Sequence, residues 1–468
     1  MNRFLIILLG VFFTASVSAH TTETMRKIKY PGEKTYMFRV TLKDKHGTPF
    51  TLANPKAYLS DKAIARRKRQ HIAVDSTDLP VNPGYIRVVR QQGVDVVGVS
   101  KWNNTLLVRC ADKSLIKNVD ALGCVSSTRL VWTSPDSINK PSYRLKYHTE
   151  FNYWDTISQN PYGVTRQQVE MLGGIRLHNH GFRGRGITVA VLDGGFMNAD
   201  LIPSLKQVRV AGWRDFVVPA SSSVFKEMDH GTKVLSAMAV DVPYTFVGTA
   251  PDAIFWLLRC EDNLTESLAE EDYWASAAEF ADSVGVDIIS SSLGFHAFDN
   301  SDDNYLYRQL DGHTALISRT ASMLAGKGIV LVNSAGNDGM AAWKKINVPA
   351  DATDIITVGA VTPEHRNAAF SSLGPTADGR VKPDVMALGS PACVITGRGT
   401  IIRDVGTSFS TPLVAGMVAC LWQALPGKTA KDIIRLVIDS SDNRSTPDNI
   451  YGYGVPDFWK AYVEGKDK

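Results

Sequence analysis

The stretch ITVAVLDGG, residues 187–195, decides the fold. Its first six residues are apolar or β-branched without polar alternation, the pattern of a strand buried on both faces, and the Asp-Gly-Gly that follows reads as a tight turn. The unit recurs downstream. Short apolar runs at residues 254–259, 286–290, 329–333 and 355–358 are each separated from the next by helix-like sequence. Strand, turn and helix in repetition predict a doubly wound α/β domain, a mostly parallel sheet with helices on both faces. In such a sheet the loops at the carboxyl ends of the strands face a common crevice, and chemistry belongs there. Asp193 stands at one of those ends. By itself it signifies little, because Asp-Gly is ordinary turn sequence. The GxG of RGRGITVAV, residues 183–191, precedes the strand instead of following it, which argues against a nucleotide site.

Upstream the pattern is different. Strand-like stretches at residues 35–42 and 105–110 alternate with helix-like ones at 61–70 and 112–122, giving a small α+β unit. Residues 137–161, with Asn, Pro, Ser and Tyr but no period, read as an exposed linker. At the start of the chain Arg3 precedes an apolar run over residues 4–13. Val17, Ser18 and Ala19 then supply the small residues of a signal-peptidase cut, with His20 as the new terminus. The run is about half the length a bilayer requires. Residues 413–425 are also too short to span, so no membrane anchor is expected and the protein reads as secreted or periplasmic. The expected organisation is a signal peptide (1–19), an N-terminal α+β domain (20–136), a linker (137–161) and an α/β domain (162–468).

Hydrophobic residues make up 44% of the 468, which excludes disorder, and a net charge of +4 is too slight for a nucleic-acid binder. The charge is unevenly spread, however. Residues 20–150 carry 23 basic and 11 acidic side chains, residues 151–468 carry 27 and 36, and segments of opposite sign attract each other. The cluster ARRKR, residues 65–69, offers a basic processing site, but its helical spacing favours a solvated helix face. Cys110, Cys124, Cys260, Cys393 and Cys420 are too few for a disulfide scaffold and lack metal-ligand spacing. Buried free thiols are the expectation, with a Cys110–Cys124 pair the alternative.

Three further stretches carry polar residues at strand ends or helix starts. DHGTKVLSAMA, residues 229–239, places His230 ahead of a helical run. VGTSFSTPLVAGMVACLW, residues 405–422, places Ser408 at the start of an apolar helix with Pro412 in its first turn. IVLVNSAGNDG, residues 329–339, ends a strand in small residues and Asn337. Singly, a loop histidine, a capping serine and an Asn-Asp-Gly turn explain them. Jointly they say more: Asp, His and Ser in this chain order on a parallel α/β sheet form a known order of the serine-hydrolase triad. With SLG in DIISSSLGF (287–295), the SAGN of 334–337 and FSSLGPTADGRVKPDV (370–385), the sequence from about Tyr162 to Tyr462 resembles the subtilisin-like serine proteases, the subtilases.

That resemblance implies a serine endopeptidase acting on protein or peptide substrates through an acyl-enzyme, with no cofactor. It implies Ser408 as nucleophile, His230 as general base and then acid, and Asp193 as the group orienting the imidazole. Asn337 and the Ser408 backbone N–H would hold the oxyanion. A serine hydroxyl is a poor nucleophile until a neutral imidazole takes its proton, and a carboxylate fixes the tautomer. For an ordinary imidazole, activity then rises through about pH 6–8. Ser292, Leu293 and Gly294 would be the edge that pairs with an extended peptide. Ser334, Ala335 and Gly336 would form the opposite wall of the pocket for the side chain before the cut bond. No acidic residue lies in these stretches, so an uncharged, apolar or mixed preference is expected. Residues 20–136 resemble, more loosely, the family's propeptide-like domains. The protease's own N-terminal domain is therefore an expected partner, a chaperone or inhibitor docked by surface charge pairs that salt would screen. A catalytically silent binding relative and an ester hydrolase on the same fold are the alternatives. The intact triad with Asn337 argues against the first, and the peptide-edge motif against the second.

Several positions depart from the family pattern. Gly194 stands where Ser or Thr usually follows the aspartate, Lys233 replaces the second histidine of HGTH, Leu235 and Ser236 replace Ala-Gly, and Phe409 and Ser410 replace Met-Ala. None removes a catalytic atom, although Lys233 would depress the pKa of His230. In the loop AVDVPYTFVGTAPDA, residues 239–253, where many subtilases hold calcium, Asp241 is the only carboxylate before Gly248. Calcium takes about six to eight oxygens, so no metal is expected there. The acidic stretch 299–303 is expected to be a solvated insertion instead of a metal site.

Overall fold

A computed structural model describes residues 25–29, 33–141 and 158–466. The expected signal peptide and most of the expected linker lie outside the described residues. The repeated units form one seven-stranded, wholly parallel sheet. Its order is Val385–Leu388, Ile356–Val361, Val330–Ser334, Ile288–Ser291, Thr188–Asp193, Ile254–Arg259, Arg209–Asp215. The two outermost strands are not among those expected. Arg209–Asp215 is a mostly exposed edge whose sequence, RVAGWRD, has no apolar run, and Val385–Leu388 is only four residues long. From Thr188–Asp193 the chain travels to one edge and back, then crosses to Ile288–Ser291 and continues outward on the other side. The winding reverses between those two strands, and the crevice at their carboxyl ends is the natural ligand site.

Alternate residues of the central strand serve opposite faces, as the period of two requires. Val189 and Val191 pack in one buried cluster with the helix Thr407–Ala424, and Ala190 and Leu192 pack in the other with Trp274 of the helix Ala269–Val284. Thr407–Ala424 is buried from Thr407 through Trp422, as befits a helix apolar on every side.

The N-terminal domain is a four-stranded antiparallel sheet in the order Asp95–Ser100, Thr105–Cys110, Tyr36–Leu42, Val125–Thr133. One face closes a small core around Val40, Leu106 and Val108. The other rests on Ala269–Val284, so Trp102, Leu107, Val131 and Trp132 share a buried cluster with Trp274 and Ala278. Ser137–Pro141, expected as the start of the linker, is instead a strand antiparallel to Met25–Lys29.

The attraction between the two halves is present, and beside half-exposed pairs such as Arg69–Asp287 it is made by deeply buried ones. In ARRKR, expected to be a solvated face, Arg66 and Arg67 are each only 1% exposed. Both reach the buried carboxylate of Asp282, at 2.5 and 3.0 Å, and Lys101 approaches it at 3.3 Å. Burial alone would raise the pKa of Asp282, but Arg66, Lys101 and Arg67 hold it down at about 2. Arg39 pairs with Asp272 at 2.7 Å and Glu271 at 3.2 Å, and Glu279 accepts from the backbone N–H groups of Lys101 and Trp102 at 2.6 and 3.0 Å. All four carboxylates belong to the one helix Ala269–Val284. The acidic stretch expected to be solvated also faces this domain, since Asp303 holds Arg129 at 2.9 Å. All five cysteines are free thiols. Among the described residues no helix is long and apolar enough to cross a membrane.

Candidate active site

Asp193 closes the central strand with its side chain fully buried. Its carboxylate accepts from the Gly194 N–H at 2.8 Å, and its two oxygens lie 2.9 and 3.0 Å from His230 Nδ1. His230 is the first residue of the helix His230–Ala239, whose Gly231 N–H donates to the Gly195 carbonyl at 3.0 Å. An Nδ1 proton given to a carboxylate leaves Nε2 as the acceptor in the neutral ring. Burial opposes a charge on this ring. The Asp193 carboxylate outweighs it, with Glu261 assisting and Lys233 opposing, and raises the pKa to about 9. The pH range expected for an ordinary imidazole thus moves to the alkaline side. Lys233 acts in the expected direction but is outweighed, and its ammonium is paired with Asp404 at 3.1 Å.

Ser408 is the second residue of Thr407–Ala424. Pro412 lies in the second turn of this helix, not the first, and its position has a consequence. Proline has no N–H to give the carbonyl four residues earlier, which is that of Ser408. The Ser292 hydroxyl supplies the missing donor at 2.8 Å, while the Ser408 hydroxyl points back to the Ser292 carbonyl at 3.4 Å. The nucleophile candidate and the peptide-edge candidate are therefore bonded to each other. The Ser408 hydroxyl is not on the imidazole, a contact that is commonly loose until substrate binds.

Ser408 and His230 line one cleft of about 270 Å³ with Ser292, Leu293, Gly294, Ser334, Gly336 and Asn337. Thr407 fixes the Asn337 amide: its N–H and its hydroxyl both donate to Oδ1, each at 3.0 Å. The NH₂ end is thereby left for the cleft. Nothing in the sequence singled out Thr407, because the contact spans seventy positions. Gly336 adopts φ = 109°, and a Cβ there would stand 2.8 Å from Ser372 Oγ, so this wall admits only glycine. Ala335 does not line the cleft. It is fully buried among core residues below it, and its N–H donates to the Val358 carbonyl at 2.9 Å.

Two carboxyl groups do line the cleft, which removes the ground for expecting an uncharged pocket. Asp338 accepts from Asn347 Nδ2 at 2.8 Å. Glu261 follows the strand beside Asp193, and burial first, then the Asp193 charge, push its pKa up to about 7 against the pull of His230 and Arg259. The substituted family positions are accommodated. Phe409 packs against the imidazole with ring centroids 5.9 Å apart, and the Ser236 hydroxyl donates to the Lys233 carbonyl at 2.6 Å. In the loop 239–253, Asp241–Val242 pairs with Phe246–Val247 as a short hairpin, and the Asp241 carboxylate is held by Arg183 at 2.7 Å.

Residues 184–454, more than half the chain, match the subtilase family, peptidase S8. The chain belongs to the subtilase family. Residues 37–147 match the peptidase S8 propeptide domain of Bacteroidota, so this subtilase carries a propeptide domain. It is similar to the thermostable alkaline protease of Halalkalibacterium halodurans, 28% identical over 306 residues, 64% of this chain and 73% of that one. It is also similar to subtilisin E of Bacillus subtilis, 28% identical over 269 residues, 57% of this chain and 62% of that one. Serine protease AprX of Bacillus subtilis is 27% identical over 303 residues, 58% and 65%. The chain spans just under two thirds of the last two. By family this subtilase is a serine-type endopeptidase, a hydrolase.

Proposed function

We propose that this subtilase is a secreted endopeptidase whose catalytic triad is Asp193, His230 and Ser408, made with an N-terminal domain that is cleaved off within residues 142–161. The observation that carries the reading is the Asp193–His230 contact, at 2.9 and 3.0 Å, in one cleft with Ser408 and Asn337. His230 Nε2 takes the proton of Ser408 Oγ as that oxygen bonds to the scissile carbonyl carbon. The negative oxygen so formed is held by Asn337 Nδ2 and by the Ser408 N–H, which lies among the helix-start donors that lack an intrahelical partner. The imidazolium returns its proton to the leaving amine, and water repeats the sequence on the acyl-enzyme to release the acid. Asp193 keeps the ring oriented and stabilises its charge throughout. Ser292, Leu293 and Gly294 would pair with the backbone of an extended substrate.

Casein hydrolysis by the purified protein, abolished by a serine-reactive phosphonyl fluoride and absent in Ser408→Ala, tests the reading. A folded wild type that neither turns over casein nor takes up the reagent would instead support a silent binding relative. Hydrolysis of a simple ester without any peptide cleavage would support the esterase alternative. N-terminal sequencing of the secreted product tests both the leader cut after Ala19 and cleavage in the linker. Ser408→Ala should remain uncut if the enzyme processes itself.

A further inference from the structure

Glu261, half-buried, differs from the buried carboxyl groups of this protein. Those of the helix Ala269–Val284 are paired or accept several hydrogen bonds. Glu261, on the cleft wall, has neither a hydrogen bond nor an ion pair among the described residues. Its neighbour Asn263 is in the same condition at one atom. Asn263 Nδ2 donates to the Gly194 carbonyl at 3.1 Å, which fixes the amide, and its buried Oδ1 has no partner. The two oxygens converge. Glu261 Oε2 and Asn263 Oδ1 lie 2.5 and 2.7 Å from the point where a Cβ on Gly194 would stand. The departure at Gly194, where the family has Ser or Thr, is what makes room for them. Buried acceptors are nearly always satisfied, so the buried Asn263 Oδ1, facing one space with the half-buried and unpartnered Glu261 carboxylate, marks the place of an incoming donor. Arg259, which also faces Glu261, is not free to supply it: it is committed to Asp215 at 2.9 Å and to the Gly194 carbonyl at 3.1 Å.

The direction from which a donor arrives follows from the cleft. Side chains of an extended peptide point alternately to opposite sides. If the residue before the cut bond enters between Ser292–Gly294 and Ser334–Gly336, the residue ahead of it points the other way. That is the side of His230, Met228 and Glu261, which line the same cleft. We infer that Glu261 and Asn263 receive the side chain of the residue immediately ahead of the cut residue, and select lysine or arginine there. This rests on the proteolytic reading above. The chain's own linker offers such a substrate twice: Arg144-Leu145 and Lys146-Tyr147 each set a base ahead of an apolar residue. The propeptide-family match ends at residue 147.

The groups facing Glu261 are Asp193, His230, Arg259 and Asp262, with Glu266 and Glu270 beyond them, and because it ionises near neutrality the selection should sharpen as pH rises. Three peptides differing only at the position ahead of the cut residue, with lysine, norleucine or glutamate, test the inference in the mature enzyme. At pH 9 a charge-assisted hydrogen bond should give lysine about a ten- to hundredfold advantage in kcat/KM over norleucine, with glutamate slowest. Glu261→Gln should bring the lysine-to-norleucine ratio within about threefold of unity. The ratio is insensitive to any change the same substitution makes in His230, which acts on all three peptides alike. Should Glu261→Gln fail to fold, as judged by melting temperature, Asn263→Ala is the second arm, and the same ratio should fall several-fold. Self-cleavage after Leu145 or Tyr147, read by N-terminal sequencing, is the result expected in the whole chain. Equal cleavage of the lysine and norleucine peptides by wild type, or an unchanged ratio in Glu261→Gln, would overturn the inference while leaving the proteolytic reading intact. Cleavage of none of them, with casein also untouched, would overturn both.

Discussion

Removing the carboxylate of Asp282 should unfasten the N-terminal domain. That single group is shared by Arg66, Arg67 and Lys101, all from the N-terminal domain. In Asp282→Ala, Arg67 keeps Asp78 at 2.7 Å, but Arg66 is left with backbone carbonyls as its hydrogen-bond partners. Deleting one member of a buried ion pair costs about 3–5 kcal/mol, most of it the charge left uncompensated. At about 1.4 kcal/mol per factor of ten, the two domains should dissociate more readily by roughly 10² to 10³-fold or somewhat more. Salt should matter far less. The Arg66, Arg67 and Asp282 side chains are at most 2% exposed, and screening by mobile ions needs solvent around the charges. The half-exposed pairs Arg129–Asp303 and Arg69–Asp287 remain open to screening and set the modest salt dependence that is left. The assay is dissociation of the Ser408→Ala protein after nicking within residues 142–157 by an added protease, followed by dilution and size-exclusion chromatography. A weakening of less than tenfold in Asp282→Ala would refute the argument. So would a tenfold or greater loss in the unsubstituted complex between about 0.1 and 1 M salt.

Other expectations concern the cleft. Ser408→Ala should remove turnover by several orders of magnitude, and His230→Ala and the double variant should look nearly the same, since triad members act as a unit; multiplicative losses would contradict the assignment. Asn337→Ala should lower kcat by about 10²–10³ with little change in KM, a magnitude taken from the corresponding subtilisin donor and not from this geometry. Thr407→Val, which removes one of the two donors fixing the Asn337 amide, should lower kcat by a smaller factor at unchanged KM. Because Asp193 raises the His230 pKa to about 9, the imidazolium persists at neutral pH, and kcat/KM should climb through that value, not through pH 6–8. The stabilisation from this ion pair runs the other way, complete below about 6.5 and lost as pH rises through about 9. A limb centred near pH 6.5 would show the carboxylate's influence to be overstated. Chelator should leave activity and Tm unchanged, given that Arg183 occupies the Asp241 carboxylate; a large fall in Tm restored by calcium and lost in Asp241→Ala would contradict it.

Five of the seven sheet strands were legible in the sequence because each is a short apolar run closed by turn residues, and that signal is local. The positions of Asp193, His230, Ser408 and Asn337 were legible for the same reason, as ends of strands and starts of helices in a recognisable order. Arg209–Asp215 was not, because an edge strand with most residues in water needs no apolar run. Sequence placed ARRKR on a helix but read its arginines as solvated, since single-helix periodicity carries no knowledge of what packs against the helix.

What the sequence determined by itself, then, is where five of the seven sheet strands lie, that they alternate with helices, and the residue types at the crevice. Only the tertiary structure decided which charges are buried and against whom. Arg66 meets Asp282 across 216 positions, and Glu261 joins Asp193 and His230 from a strand neighbouring in space. Ser292 replaces the bond that Pro412 cannot give to Ser408, 116 positions away. The reason is physical. Secondary structure follows from backbone and side-chain preferences within a few residues, whereas a pKa, a buried ion pair or an oriented amide depends on every group within a few ångströms, and only folding determines which groups those are.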